Sequence, residues 1–314
     1  MVDETKIPLA ETVKPYQVKR AKAKIIDKTS PIGVFDSGVG GLTVVREIIR
    51  QLPNENIVYF GDTARVPYGS KSPSTVNHFS NQITRFLLTK KVKAIVVACN
   101  TASALAFEEL KEQFNLPIVE VVVPGARAAT QMTKSGKIGV VGTEATVKSG
   151  VYTRVIKGIN PQLTVLEKAC PLFVPLVEEG FRSHHVTEEI IDYYLHSLKN
   201  AGIDTLILGC THYPLIRSQI KEYLGEGILL ANPAYETTKD LKELLSNHGM
   251  NNDVNPVLDK STTSRSNHES INVENSSANY DFYVSDGAEK FRRFAGTVMS
   301  IKVPETNVIN IESF

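Results

Sequence analysis

The chain has 314 residues, of which 42% are hydrophobic and 22% charged, and its 35 Lys+Arg against 34 Asp+Glu leave a formal charge of +1. That length suggests about two domains, and the near-zero charge excludes net charge as a ground for a nucleic-acid or membrane-surface partner. No apolar run approaches the roughly 20 residues of a spanning helix. Three widely spaced cysteines, Cys99, Cys170 and Cys210, read as reduced thiols of a cytoplasmic protein, not as a disulfide framework.

Residues 1–30 carry seven Lys/Arg and four Asp/Glu with no continuous apolar segment, so they read as an N-terminal extension without a secretory or organelle signal. Beyond them, short Val- and Ile-rich runs alternate with amphipathic stretches. Strands are predicted at Ile32 to Asp36, Ile57 to Asp62, Ala94 to Cys99, Ile118 to Val123, Lys137 to Gly142, Leu163 to Ala169, Thr205 to Cys210 and Ile228 to Ala231. Their nearly continuous apolar character suits strands covered on both faces. Between them, Leu42, Val45, Ile49 and Leu52 share one helical face, as do Val76, Phe79, Ile83, Phe86 and Leu87. This alternation predicts an α/β fold with mainly parallel sheets. The 34 residues from Ser246 to Asn279 hold eight Asn, seven Ser and no aromatic. They read as a mobile insertion with too little apolar surface to fold alone. A strand at Tyr280 to Val284 and a helix at Ala288 to Phe294 follow.

Two segments 111 residues apart repeat one device: an apolar strand ending in Cys, then polar residues and a helical pattern, at Cys99-Asn100-Thr101 and at Cys210-Thr211-His212. A single buried cysteine is ordinary packing. Two at matching places imply a ligand site, because ligands of open α/β sheets lie beyond the carboxyl ends of the strands. There the next helix's amino end is expected to favour thiolate and lower the thiol pKa. Neither cysteine lies in a C-x-x-C motif. A zinc site with Cys99, Cys210 and His212 lacks evident further ligands, and a cysteine hydrolase with His212 as base leaves the second thiol idle. Asp36-Ser37-Gly38-Val39-Gly40-Gly41 fits neither a dinucleotide fingerprint nor a P-loop. It reads as a Gly-rich turn able to cradle a carboxylate, with Asp36 either a helix cap or a catalytic partner. Asp62 to Gly69 is a surface turn or a ligand loop, and Glu178-Glu179 is by itself the solvated end of a helix.

Taken together, Gly33 to Leu42, Tyr59 to Gly69, Ala98 to Ser103, Cys170 to Glu178 and Gly209 to Pro214 resemble the glutamate racemases of the aspartate/glutamate racemase superfamily. The resemblance implies two pseudo-symmetric α/β domains, 31–123 with 235–314 and 124–234, and an active site in the cleft between them. It implies Cys99 and Cys210 as the two acid/base residues, assisted by Asp36, Glu178 and His212. Substrate-binding falls to Asp36, Ser37, Tyr68, Gly69, Asn100, Thr101, Thr211 and His212. It further implies no cofactor, no metal, glutamate as the small-molecule substrate, no nucleic-acid or membrane partner, a homodimer, and a role in supplying D-glutamate for peptidoglycan. A related racemase acting on aspartate, a cysteine hydrolase and a non-catalytic binding protein are the alternatives. Asp36 and His212 are expected to follow equivalent strands, each supporting its neighbouring thiol. The segment Asn232-Pro233-Ala234 departs from the Asp-Ser-Gly/Ala usual in these racemases, and no function is assigned to it.

Overall fold

The computed structural model describes residues 27–252, 278–299, 301 and 303–314. Strands β1 (Ile32–Asp36), β2 (Ile57–Gly61), β3 (Ala94–Val97), β4 (Ile118–Glu120), β9 (Tyr280–Val284) and β10 (Thr306–Val308) form a six-stranded sheet in the order β10-β9-β2-β1-β3-β4. Strands β5 (Lys137–Gly142), β6 (Thr164–Ala169), β7 (Thr205–Gly209) and β8 (Leu229–Ala231) form a second sheet in the order β6-β5-β7-β8. Every pairing is parallel, with Ile32 opposite both Ile57 and Ala94 in the first sheet, and Ile138 opposite Thr205 in the second. The order β2-β1-β3-β4 is thus repeated as β6-β5-β7-β8. The mixed α/β fold with helix-flanked parallel sheets is the class predicted above.

Helices cover the sheets because their apolar spacing demands it. In α1 (Leu42–Gln51), Leu42, Val45, Ile48 and Ile49 are all buried, each worth about 1.5–3 kcal/mol when removed from water. Helix α2 (Pro73–Thr89) begins where the Ser72 side chain accepts the Thr75 N–H and Pro73 occupies the first turn. Helices α3 (Asn100–Gln113) and α4 (Val122–Met132) follow β3 and β4. The strand predicted through Val123 stops at Glu120, because the Glu120 carboxylate accepts the Val122 and Val123 N–H groups and starts α4 there. The second half adds α5 (Glu144–Ser149), α6 (Val151–Ile159), α7 (Phe173–Glu178), α8 (His185–Asn200) and α9 (Arg217–Leu224). Helix α10 (Pro233–Asn247) packs on both α1 and α4, and α11 (Ala288–Val298) closes the first half.

The insertion is narrower than the composition suggests. Ser246 and Asn247 complete α10, Met250 is buried, and Asn252 N–H donates to Glu55 Oε1 at 2.9 Å. At the far side, Asn279 accepts the Ile57 N–H through its carbonyl at 2.9 Å. A polar composition does not stop these residues from lining the sheet edge, since their hydrogen bonds are made to it. The remainder of that reading, 253–277, lies outside the described residues, as does most of the N-terminal extension, 1–26. Of the extension, Lys28 is tied to the sheet: Lys93 Nζ donates to its carbonyl at 2.6 Å while pairing with Glu55.

Candidate active site

Each sheet has a point where the chain leaves a central strand in opposite directions, between β1 and β3 and between β5 and β7. Ligand sites form at such points. Asp36 ends β1, Cys99 follows β3, Thr143 follows β5 and Cys210 follows β7, and the four ends meet along the seam between the sheets. Thr211 Oγ1 donates to Asp36 Oδ1 at 3.3 Å, and Thr43 Oγ1 donates to the Thr211 carbonyl at 3.1 Å. On the other side, the Thr101 hydroxyl lies 2.9 Å from that of Thr143 and 3.3 Å from that of Thr146. Gly69 sits directly against Thr143. Asn100 is held by Tyr152, whose hydroxyl donates to Asn100 Oδ1 at 2.7 Å.

The two thiols sit in different surroundings. Cys99 is the N-cap of α3 without a side-chain cap bond, and the Ala102 N–H and Ser37 act only weakly on its thiol. Cys210 is followed by a 3-10 turn, Tyr213–Ile216, before α9 begins. That turn lets the His212 ring reach back to Cys210, with Nδ1 at 3.9 Å from Sγ, while Nε2 meets Glu178 Oε1 at 3.0 Å. Lys290 Nζ from α11 lies 3.9 Å from the other Glu178 oxygen.

Burial governs the protonation states. The Cys99 thiol is pushed up to about 12, first by burial and then by the nearby Asp36 carboxylate, against weaker help from the Ala102 N–H and Ser37. The expected lowering by the helix amino end is therefore overturned at Cys99: desolvation of a thiolate outweighs the Ala102 N–H at that helix start. Asp36 is also raised by burial, opposed by His212 and the Gly41 and Gly38 N–H groups. At His212 burial opposes the charge but is outweighed by the bonds to Cys210 and Glu178, so the imidazole is pushed up to about 10. Glu178 is held below its usual range: burial raises it, and the His212 contact lowers it more.

A family model described as Asp/Glu/Hydantoin racemase matches residues 32–239, taking in all four strand ends. The chain belongs to that family. It is 53% identical over 214 residues to the glutamate racemase of Geobacter metallireducens, covering 68% of this chain and 79% of that protein. It is 44% identical over 279 residues to that of Neisseria meningitidis, covering 87% and 96%. A solved glutamate racemase from Francisella tularensis, in complex with D-glutamate, superposes with a TM-score of 0.79 at 36% identity, covering 91% of this chain and all of that one.

Within this racemase-family fold, the seam gathers Asp36, Ser37, Cys99, Asn100, Thr101, Cys210, Thr211, His212 and Glu178, with Gly69 at its edge. The Tyr68 hydroxyl is turned to the Asp62 carboxylate. Asp36 and His212 do not follow equivalent strands: β1 matches β5, and the register makes Gly142 the counterpart of Asp36 and Thr143 that of Ser37, while His212 corresponds to Thr101. The repeat was read from the cysteines alone, which locate β3 and β7 but not the strands beside them. Thr143, Thr146 and Tyr152 escaped sequence reasoning, although the position of Thr143 just past an apolar strand was a usable signal. So did the clamp on the Tyr68-Gly69 loop. Arg65 Nε donates to both Asp62 oxygens, at 2.8 and 3.1 Å, and its Nη1 reaches Gln82 Oε1 at 2.6 Å and Glu312 Oε1 at 3.0 Å. Cys170 stays in the core beneath Tyr213, which bonds its carbonyl at 2.8 Å. Among the described residues no group of three or more His, Cys, Asp and Glu is arranged to hold a metal ion, and no helix is long and apolar enough to cross a membrane.

Proposed function

We propose that the chain interconverts L- and D-glutamate by moving protons between two thiols, Cys99 and Cys210, without a cofactor. The observation that carries this reading is the placement of two buried thiols at equivalent strand ends, β3 and β7, on opposite halves of one seam. Racemisation takes the Cα proton from one face and returns a proton to the other. Two opposed groups do this without turning the substrate: one is thiolate and base, the other thiol and acid, and each turnover exchanges their roles.

Asp36, Ser37, Tyr68, Gly69, Asn100, Thr101, Thr211 and His212 are assigned to the amino acid. With Asn100 Oδ1 engaged by Tyr152, its amide NH2 group is the donor left for a carboxylate. Donors on the seam stabilise the charge that develops as the Cα proton leaves. His212, backed by Glu178, serves Cys210. At Cys99 a substrate ammonium would offset the burial and the Asp36 charge that push the thiol up. We place the reaction in the supply of D-glutamate for peptidoglycan, in the cytoplasm, by a homodimer, with units divided as 31–123 plus 235–314 and 124–234.

The test is Cα proton exchange in heavy water with each enantiomer of glutamate and of aspartate. Exchange and inversion of both glutamate enantiomers are expected. Turnover of aspartate alone would reassign the substrate, and exchange without inversion would remove the racemase reading.

A further inference from the structure

We infer that Gly40 is a positioning residue that sets how closely the two thiol-bearing halves approach, by letting the turn after β1 lie directly on Thr211 and His212. The two-thiol racemase reading is needed for its kinetic readouts only.

A Cβ at Gly40 would lie 2.3 Å from Thr211 Oγ1, 2.5 Å from His212 Nδ1 and 2.7 Å from His212 Cε1. The glycine is not there for backbone freedom, because Gly40 is absent from the positive-φ glycines. An alanine could adopt its conformation, so the constraint is space alone. Neither neighbour can step aside. Thr211 bonds Asp36 through its hydroxyl and Thr43 through its carbonyl, and the His212 ring is held between Cys210 and Glu178. The single Thr43 hydroxyl proton is shared between the Gly40 carbonyl at 2.9 Å and the Thr211 carbonyl at 3.1 Å, so one side chain ties the turn to the facing half. By contrast, Gly139 in β5 is nearly as crowded, but by the flexible ends of Ile203 and Leu206 inside one half, at 2.7 and 2.9 Å. There the core can give.

A methyl at position 40 therefore either opens the seam or moves His212 off Cys210, by about 1 Å to restore ordinary contact. Misplacement on that scale costs a reaction about 100-fold.

The experiment compares Gly40→Ala, Thr43→Val and Gly139→Ala. It measures kcat and KM for both enantiomers, and the pH profile of Cys210 alkylation by iodoacetamide, read by peptide mass. For Gly40→Ala, kcat/KM should fall about 100-fold, by the same factor in both directions because the enantiomers have equal free energy. Most of the loss should be in kcat, and the Cys210 alkylation profile should shift. Thr43→Val, which adds no bulk, should lose roughly 5-fold in kcat, about the worth of one hydrogen bond; it decides the matter should Gly40→Ala not fold. Gly139→Ala should lower Tm and leave kcat in place. Wild-type kcat and an unshifted alkylation profile in Gly40→Ala, or wild-type kcat in Thr43→Val, would overturn the inference. Should the wild-type chain fail to racemise glutamate, the alkylation profile alone still decides whether Gly40 positions His212 on Cys210.

Discussion

The ends of β3 and β7 occupy the same place in two copies of one strand order, yet they present their thiols differently. After β3 the helix starts at once, so Cys99 meets backbone N–H groups and Asp36, and burial pushes it up to about 12. After β7 a 3-10 turn intervenes, and His212 swings back to place its imidazole 3.9 Å from Cys210, with Glu178 behind it. A repeated frame therefore does not bring a repeated environment. What differs is the residue two places after each cysteine: Thr101 turns to the facing threonines, while His212 turns to its own thiol.

The largest effect should come from removing either thiol. Cys99→Ala and Cys210→Ala should each lower kcat by up to about 10⁴-fold in both directions, since each variant lacks the base in one direction and the acid in the other. Cys170→Ala should keep its activity and lose about 1–3 kcal/mol of stability in urea unfolding, as small core truncations do. An active Cys99→Ala enzyme would erase the comparison, because one end would then suffice.

Next come the groups that make the two ends unlike. His212→Asn should lower kcat about 100-fold, the lower end of what a general acid–base partner contributes, and should slow Cys210 alkylation while leaving Cys99 unchanged. Asp36→Asn should act on the Cys99 side. Since kcat/KM must fall equally in both directions, the asymmetry is read from primary isotope effects with each Cα-deuterated enantiomer. Identical effects in both variants would mean that neither residue is tied to one face.

A third effect is on stability. His212, at about 10 in the fold against an ordinary 6.5, contributes stability that is fully present below about pH 6.5. That stability is lost as pH rises toward 10. Thermal unfolding of the wild type should therefore show Tm falling between pH 7 and 10, and the fall should be shallower in His212→Asn. The smallest effect belongs to the clamp. Glu312→Gln weakens the Arg65 pair at its exposed end, where a surface ion pair is worth about 0–1 kcal/mol. KM should rise by up to about 5-fold with kcat little changed.

The alternation of apolar runs and amphipathic stretches made the fold class legible, and the two Cys-ended strands made half of the site legible. Both signals are local. The site's other half is set by pairing, which no local pattern carries. Thr143 matches Ser37 only because β5 takes the place of β1 between its neighbours, and Thr146 and Tyr152 enter from α5 and α6, which follow that strand. The direction of the Cys99 shift was misjudged for the same reason. The helix start was visible in sequence, whereas the depth of burial that outweighs it depends on both halves. Strand β10 was missed because Thr306–Val308 is short and two of its three residues are exposed.

The most direct test of the two-thiol exchange is deuterium incorporation in heavy water at early conversion, starting separately from L- and D-glutamate. Opposed thiols place solvent deuterium in the product while the recovered substrate keeps its Cα proton, in both directions. Return of the substrate's own proton to the product would contradict the mechanism, because it requires a single group serving both faces.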